Sequence, residues 1–418
     1  MDNPNDLIPP EPSEPALSAR PEPNPKTSRA LDVAGRLISA VALLLVGAMV
    51  ALLIVPNAWI PRLTGKMTST EKLNLLQEMV SNYFLEGDEI DEDTMTDAMA
   101  AAFIYGLGDP YSVYFTEEDL AEVVDDNLGN SSGIGISSVY ASDPDCVYIN
   151  RVYKGTPAEA AGLLPRDRIT AVDGVAVTAA NYSERLNAIR GQAGTQVTLT
   201  VQRGDSAFEV TVSRADFVIE SVFPRTVGDV GVIEVTGFNQ ATADQFREAV
   251  NALVEQGVTA LIVDLRGNHG GLMDVATEML DYLLPEGELG YAVYNGGKRQ
   301  SLGSSDAAAV DLPLAVLVDR NTASAAEYFS SAMRDSGGAA LVGETTFGKG
   351  IMQITYPLGD GTAVRLTVAK FYTASGTEFH GIGLAPDVEV ALPEGVSRYL
   401  LTDEEDPVLQ AALAALKQ

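Results

Sequence analysis

The sequence predicts an α/β protein with an N-terminal helical region and a mainly β insertion, held behind a membrane anchor helix. Three observations predict it. From residue 216 onward, buried β runs alternate with helical runs, the pattern of a layered α/β core. Before that, from about Gly133, short β runs are divided by Gly, Pro and Asp turns. Ahead of both stands an uncharged apolar run, Leu37 to Val55 (LISAVALLLVGAMVALLIV).

Composition narrows the function classes. The 418 residues suffice for two or three domains. A content of 46% hydrophobic and 20% charged residues is that of a folded chain. The formal net charge of -31 argues against nucleic acid as a partner, because nucleic-acid binding needs a basic face. Cys146 is the single cysteine, so no intramolecular disulfide can form. With two histidines, His269 and His380, and no HExxH pattern, neither a zinc site nor another metal or cofactor is expected.

The elements follow in order. Residues 1–36 are rich in Pro, Glu and Ser without apolar periodicity, the composition of a disordered tail. Residues 37–55, as helix at about 1.5 Å per residue, span roughly 28 Å, close to the bilayer's hydrocarbon thickness. The long tail ahead and the lack of a small-x-small site favour an uncleaved single-pass anchor over a signal peptide. Lys26, Arg29 and Arg36 precede the run, while Arg62 and Lys66 follow it. This slight bias puts the N-terminus inside and the bulk of the chain on the extracytoplasmic side of the cell membrane.

Residues 68–128 read as a helical region. Leu73, Leu76, Met79, Val80, Tyr83 and Phe84 fall at helical spacing, and a second helix covers about Thr94–Gly106. The apolar face either pairs with a second copy, giving a homodimer, or packs on the chain's own core.

Within residues 131–215, GIGISSV and CVYINRVY read as strands. KGTPAEAAGL starts a short helix, with Pro157 in its first turn. RITAVDG is strand then turn, NYSERLNAIRG a helix ending at glycine, and TQVTLTVQRG with FEVTVSRA a hairpin. These segments, and TPAEAAGLLPRDRITAVDG and IRGQAGTQVTLTVQR above all, resemble a PDZ domain of the bacterial protease type. The chain departs from that family at Pro165-Arg166-Asp167, where Pro-Gly-Asp is usual. The resemblance implies that an extended peptide adds as a strand beside Gly135–Ser137. Its C-terminal carboxylate would sit in backbone N–H groups near Gly133, Ile134, Gly135 and Ile136. Leu186 and Ile189 would line the last side chain's pocket or fill the domain's core. Partners are therefore expected to be proteins or peptides with apolar C-terminal tails.

In the core, VGVIEVTGF is a strand leading to a helix near Ala241–Gln256. ALIVDLRGN is a buried strand, and LAVLVDRN another, followed by the helix TASAAEYFSSAMRDS. Ser324 stands at that strand-to-helix turn. Alone, Ser324-Ala325-Ala326-Glu327 reads as an S-x-x-E capping box. Lys349 and Gln353 lie four apart in TFGKGIMQ, and DLRGNHGG supplies a glycine-rich strand end; together the three form a coherent hydrolase site. Two other motifs are weaker. GETTFGKG nearly matches a phosphate loop, but Gly350 stands where the Mg²⁺-binding hydroxyl would be, and strand follows instead of helix. GNSSG at 129–133 matches GxSxG without the strand before it and helix after it.

DLRGNHGG, NTASAAEY, TFGKGIMQ and AKFYTASGTEFHGIGLAPDVEV jointly resemble the carboxyl-terminal processing (tail-specific) serine proteases, over about residues 70–392. GDPYSVYF falls near that family's Asp-Pro-His-Ser element, with Tyr111 in place of histidine. The resemblance implies a Ser–Lys protease core of the ClpP/crotonase-like type over 216–392 and a tail with a short helix over 393–418. By position it implies Ser324 as nucleophile, Lys349 as general base and Gln353 as the group that orients Lys349. A lysine of ordinary pKa, about 10.4, is mostly protonated at neutral pH and needs burial to act as a base. The backbone N–H groups of Ala325 and of Gly270 or Gly271 are the candidate oxyanion donors. His269 lies near the site as a cleft residue or as a rival base. The rival class is a catalytically silent tail-binding scaffold, and the intact Ser324, Lys349 and Gln353 set favours the enzyme.

Overall fold

The computed structural model describes residues 39–45, 67–86, 89–142, 144–306, 309–417. Most of the predicted anchor and all of the 1–36 tail lie outside the described residues. Residues 39–45 are helical and exposed. Among the described residues, no helix is long and apolar enough to cross a membrane.

The chain divides into two compact units, Met1–Glu92 and Asp93–Gln418. In the first, helix α1 (Ser69–Tyr83) opens on a capping box between Thr68 and Glu71. Its side chains Leu73, Leu76 and Tyr83 are exposed.

Helix α2 (Glu92–Tyr105) begins at the boundary, two residues ahead of the expected start, and leads into the second unit. The short strand β1 (Val113–Phe115) and helix α3 (Glu117–Leu128, capped by Thr116) follow. The region expected to be helical through residue 128 therefore contains a strand. Three residues are too few to show a period of two, and β1 owes its conformation to a distant partner.

The insertion begins on β2 (Asn130–Gly133). Its sheet comprises β3 (Ile136–Ser142), β4 (Asp145–Val152), β5 (Arg168–Val172), β6 (Val175–Ala176), β7 (Gln196–Arg203) and β8 (Ser206–Ser213). The order is β3-β4-β5-β7-β8, with β6 beside β5. Two helices, α4 (Pro157–Ala160) and α5 (Tyr182–Ile189), complete it. Its core is a separate cluster that includes Ile134, Val147, Ile149, Leu163, Ile169 and Leu199. Arg166, the point at which the sequence departs from the Pro-Gly-Asp expected by resemblance, sits at φ 75, a left-handed conformation that glycine adopts without strain. The chain leaves on β9 (Ala215–Val218), which pairs with β2, so both connections run through one two-stranded ribbon. Arg151 of β4 reaches across to Glu234 of the core at 2.7 Å.

The part of the chain that follows β9 has two sheets. Strands β10 (Val222–Val227), β11 (Val230–Val235) and β12 (Ala260–Asp264) belong to the first. Strands β13 (Gly287–Tyr294) and β14 (Arg299–Ser305) belong to the second. Strands β15 (Leu314–Val318) and β16 (Ala340–Gly343) return to the first. Strands β17 (Ile351–Pro357) and β18 (Ala363–Thr373) join the second, and β19 (Val388–Glu389) closes the first. The first sheet runs β10-β11-β12-β15-β16-β19 and is parallel from β11 onward. The second runs β1-β18-β13-β14, with β17 also on β18.

Helices α6 (Thr242–Glu255), α7 (Met273–Leu283) and α8 (Ala325–Gly337) cover one face of the first sheet, where Phe246, Leu280, Tyr328 and Phe329 are fully buried. Helix α8 also touches β13 and β18, so it lies between the two sheets. The other face is covered by α9 (Pro407–Ala415), whose Val408, Leu409 and Ala412 are buried on Val232, Ile262 and Leu317. The expected C-terminal tail is thus a structural layer of the core.

Candidate active site

Parallel strands β12 and β15 are neighbours, so their C-terminal ends open on the same edge, where α/β sheets hold ligands. The glycine-rich loop 265–271 leaves β12, and the loop to Ser324 leaves β15. Two contacts stitch the loops together. Thr322 donates its hydroxyl to the Leu265 carbonyl at 3.0 Å, and the Ala323 N–H donates to the Asn268 carbonyl at 3.0 Å.

Ser324 has φ 58 and ψ -119, a conformation costly for any residue with a Cβ. A sharp turn of this kind lifts a side chain off the helix start and exposes it. Ser324 is partly exposed while Ala323, Ala325 and Ala326 are buried. Gly270 explains how the turn fits. A Cβ there would lie 2.9 Å from both the Ala325 nitrogen and the Ser324 Cβ.

Glu327 is fully buried, and its role exceeds the expected helix cap. Oε2 accepts from the Ser324 N–H at 2.9 Å and from the Lys349 N–H at 2.7 Å. Oε1 accepts from the Thr346 hydroxyl at 2.5 Å and from the Gly348 N–H at 2.7 Å. One carboxylate oxygen therefore holds the backbone of both residues that the sequence singles out. Burial pushes the Glu327 carboxyl up against the pull of its four donors.

Lys349 is half-buried. Burial lowers its pKa, Arg365 lowers it further, and Asp109 and Glu327 oppose the shift. Its Nζ lies 4.9 Å from the centroid of the Tyr111 ring. No hydrogen bond joins that amine to Ser324 or Gln353 among the described residues. Gln353 instead donates to the Thr367 hydroxyl at 3.2 Å. The segment Asp109–Ser112 clamps the same spot: the Thr367 N–H donates to Ser112 Oγ at 3.1 Å, and the Ser112 hydroxyl donates to Asp109 at 2.6 Å.

Of the candidate oxyanion donors, the Gly270 N–H is engaged, donating to Asn268 Oδ1 at 2.8 Å. Gly271 forms a bridge with Phe238 that uses the flanking groups, Gly270 C=O and Leu272 N–H. Asn268, fully buried and also donating to the Val235 carbonyl at 2.8 Å, organises this loop. Sequence reasoning missed both Asn268 and the reach of Glu327. His269 is exposed and lines a cleft of about 910 Å³ with Gly267 and Asn321. Lys349 runs into β17, a strand, which removes the phosphate-loop reading. Ser131 of the GNSSG motif sits in the ribbon strand β2.

In the insertion, Gly133, Ile134, Gly135, Ile136, Leu186 and Ile189 line one groove of about 370 Å³ beside β3. Ile134 and Ile189 are also core residues at 2% exposure, while Leu186 is half-buried. The N–H groups of Ile134 and Gly135 find no acceptor among the described residues. Gly135 has φ 86, and a Cβ there would lie 2.2 Å from Thr156.

Known proteins are similar to this chain in sequence and fold. A profile of peptidase family S41 matches residues 229–390, and a PDZ domain profile matches residues 148–203. The carboxy-terminal processing protease CtpA of Bacillus subtilis is 35% identical over 328 residues, covering 78% of this chain and 69% of the relative. A probable CtpA-like serine protease of Staphylococcus saprophyticus is 31% identical over 364 residues, covering 85% and 73%. A solved S41 protease of Bacteroides fragilis, described as putative, has the same fold, with a TM-score of 0.54 at 19% identity, covering 82% of this chain and 97% of that one.

Proposed function

The chain belongs to peptidase family S41, among the carboxy-terminal processing proteases, and from that premise we propose a membrane-anchored serine endopeptidase that cuts with a Ser324–Lys349 dyad. One observation carries the reading: Ser324 and Lys349 donate their backbone N–H groups to the same oxygen of Glu327. Their side chains thereby start from adjacent backbone although 25 residues separate them.

In the proposed reaction, an extended tail adds beside β3, with its carboxylate toward the N–H groups of Ile134 and Gly135 and an apolar last side chain over Leu186 and Ile189. Lys349 turns from the Tyr111 ring toward Ser324 and takes the hydroxyl proton as Oγ attacks the scissile carbonyl. Gln353 orients the amine without adding a charge. The N–H groups of Gly271 and Ala325 receive the oxyanion, the second at the first turn of α8, where the helix dipole adds to it. Lys349 then protonates the leaving amine, and water hydrolyses the acyl-enzyme by the same base.

The apolar run 37–55 supports a single-pass anchor, and the charges around it support a catalytic part outside the cytoplasm. Exposed Leu73, Leu76 and Tyr83 on α1 support pairing with a second copy.

The test is cleavage of an unstructured protein with an apolar C-terminus by the full chain, beside Ser324→Ala and Lys349→Ala. Both variants are expected to lose cleavage while keeping the parent's melting temperature. Cleavage that survives Lys349→Ala removes the dyad and makes His269 the next base to test.

A further inference from the structure

The Lys349 amine lies over the Tyr111 ring at 4.9 Å, and its backbone N–H is held by Glu327 of α8. Asp109 accepts from the Tyr111 N–H at 3.1 Å, and Arg365 stands on β18 two residues from Thr367, the partner of Gln353. His380 packs against Gly350 and faces Asp109. Lys370 and Glu378 pair with each other at 2.6 Å in solvent. Two carboxylates thus favour the charged lysine, and a charged lysine is no base.

Arg365 is placed to oppose them. Register pairs it with Thr355 on one side and Val113 on the other, on the same face of the β17–β18 hairpin as Gln353 and Thr367. Its Nε donates to Thr355 Oγ1 at 3.3 Å, and its Cζ lies 4.7 Å from the centroid of the Phe115 ring. Among the described residues it has no carboxylate partner. An unpaired, half-buried guanidinium projects its full charge on its surroundings. Tyr111 and Phe115, four residues apart on one segment, thus hold the two cations of this hairpin against their rings.

We infer that Arg365 is an electrostatic positioning residue that favours the neutral form of the Lys349 amine by offsetting the carboxylates of Asp109 and Glu327. The inference rests on the Ser–Lys reading above. It is also consistent with the lowered pKa of Lys349, to which burial contributes most and Arg365 next. Aromatic contact, with a neutral hydroxyl as the one polar partner among the described residues, lets Arg365 sit there without being neutralised.

The experiment is the pH profile of kcat/KM for the full chain on the same unstructured protein, in the parent, Arg365→Gln, Arg365→Lys and Lys349→Ala. In Arg365→Gln the acid limb is expected to move up by about one pH unit. Cleavage on that limb then falls roughly tenfold, while the alkaline plateau stays near the parent's. Arg365→Lys, which keeps the charge, is expected to restore the limb. A limb unmoved in Arg365→Gln, a loss of rate equal at every pH, or a lysine variant that behaves like glutamine overturns the inference. Those results with Lys349→Ala inactive leave the dyad standing, whereas activity in Lys349→Ala removes the dyad itself.

Discussion

Replacing Glu327 by glutamine tests how the site is assembled. The carboxylate accepts four hydrogen bonds, two on each oxygen. The amide keeps one oxygen and presents an NH₂ group to the two donors on the other side. Two donors in a fully buried place then lose their acceptor. Each such loss costs about 1–3 kcal/mol, so the variant is expected to lose about 2–6 kcal/mol of stability. The side chain hardly changes in volume, so packing contributes little to the loss. Whichever way the amide turns, one of its ends faces either Ser324 and Lys349 or Thr346 and Gly348. The loop bearing Lys349 therefore shifts relative to Ser324, and in the proposed reaction a displacement near 1 Å lowers the rate roughly hundredfold. Urea midpoints and kcat measured side by side check both effects. A glutamine variant with the parent's midpoint and the parent's kcat would falsify the claim that this carboxylate sets the alignment.

Two further outcomes follow from geometry elsewhere. Asp264 is buried between Arg266 at 2.7 Å and Arg398 at 2.9 Å; burial raises its pKa, but the two guanidinium groups outweigh it and hold the carboxyl well below the usual range. A lowered folded value contributes stability above the unfolded pKa of about 3.9, lost as pH falls through the folded value. Asp264→Asn is thus expected to cost about 3–5 kcal/mol at neutral pH, with the gap to the parent narrowing below about pH 4 in acid-unfolding curves. Arg166→Gly relieves a left-handed residue at φ 75. Less the larger unfolded-state entropy of glycine, it is expected to stabilise by about 0.5–1 kcal/mol, read as a higher melting temperature.

Much of this molecule was legible because its signals are local. Strand ends, helix starts and glycine turns around Ser324 and Lys349 appear within a few residues of each motif. Helices α5 and α8 fall where their periodicity and caps put them. What was missed depends on partners far along the chain. Nothing near Glu327 reveals that it also serves Thr346, Gly348 and Lys349, because a capping box has the same spelling whether or not a second loop lands on it. Asn268 was read only as part of the strand end ALIVDLRGN, yet its carboxamide binds Val235 and Gly270. Strand β1 has too few residues to announce itself. Helix α9 gave its type but not its place, since an Ala- and Leu-rich helix does not say which face of which sheet it covers.

The pairing of β1 with β18 has a bearing on synthesis. Ser112 and its partner Thr367 are 255 residues apart, with the whole tail-binding domain and most of the core between them. At about 5–20 residues per second, a ribosome takes roughly 13–50 seconds to cover that stretch. Through nearly all of that interval the segment carrying Tyr111 and Phe115 has no strand to dock on, because Lys349 and Arg365, the cations that its rings cover, are not yet made. The groove beside β3 can fold early, whereas the loops of Ser324 and Lys349 must wait for the last third of the chain. On the proposed reading, a nascent molecule completes its peptide groove well before its cutting site, and translation itself acts as the safety catch.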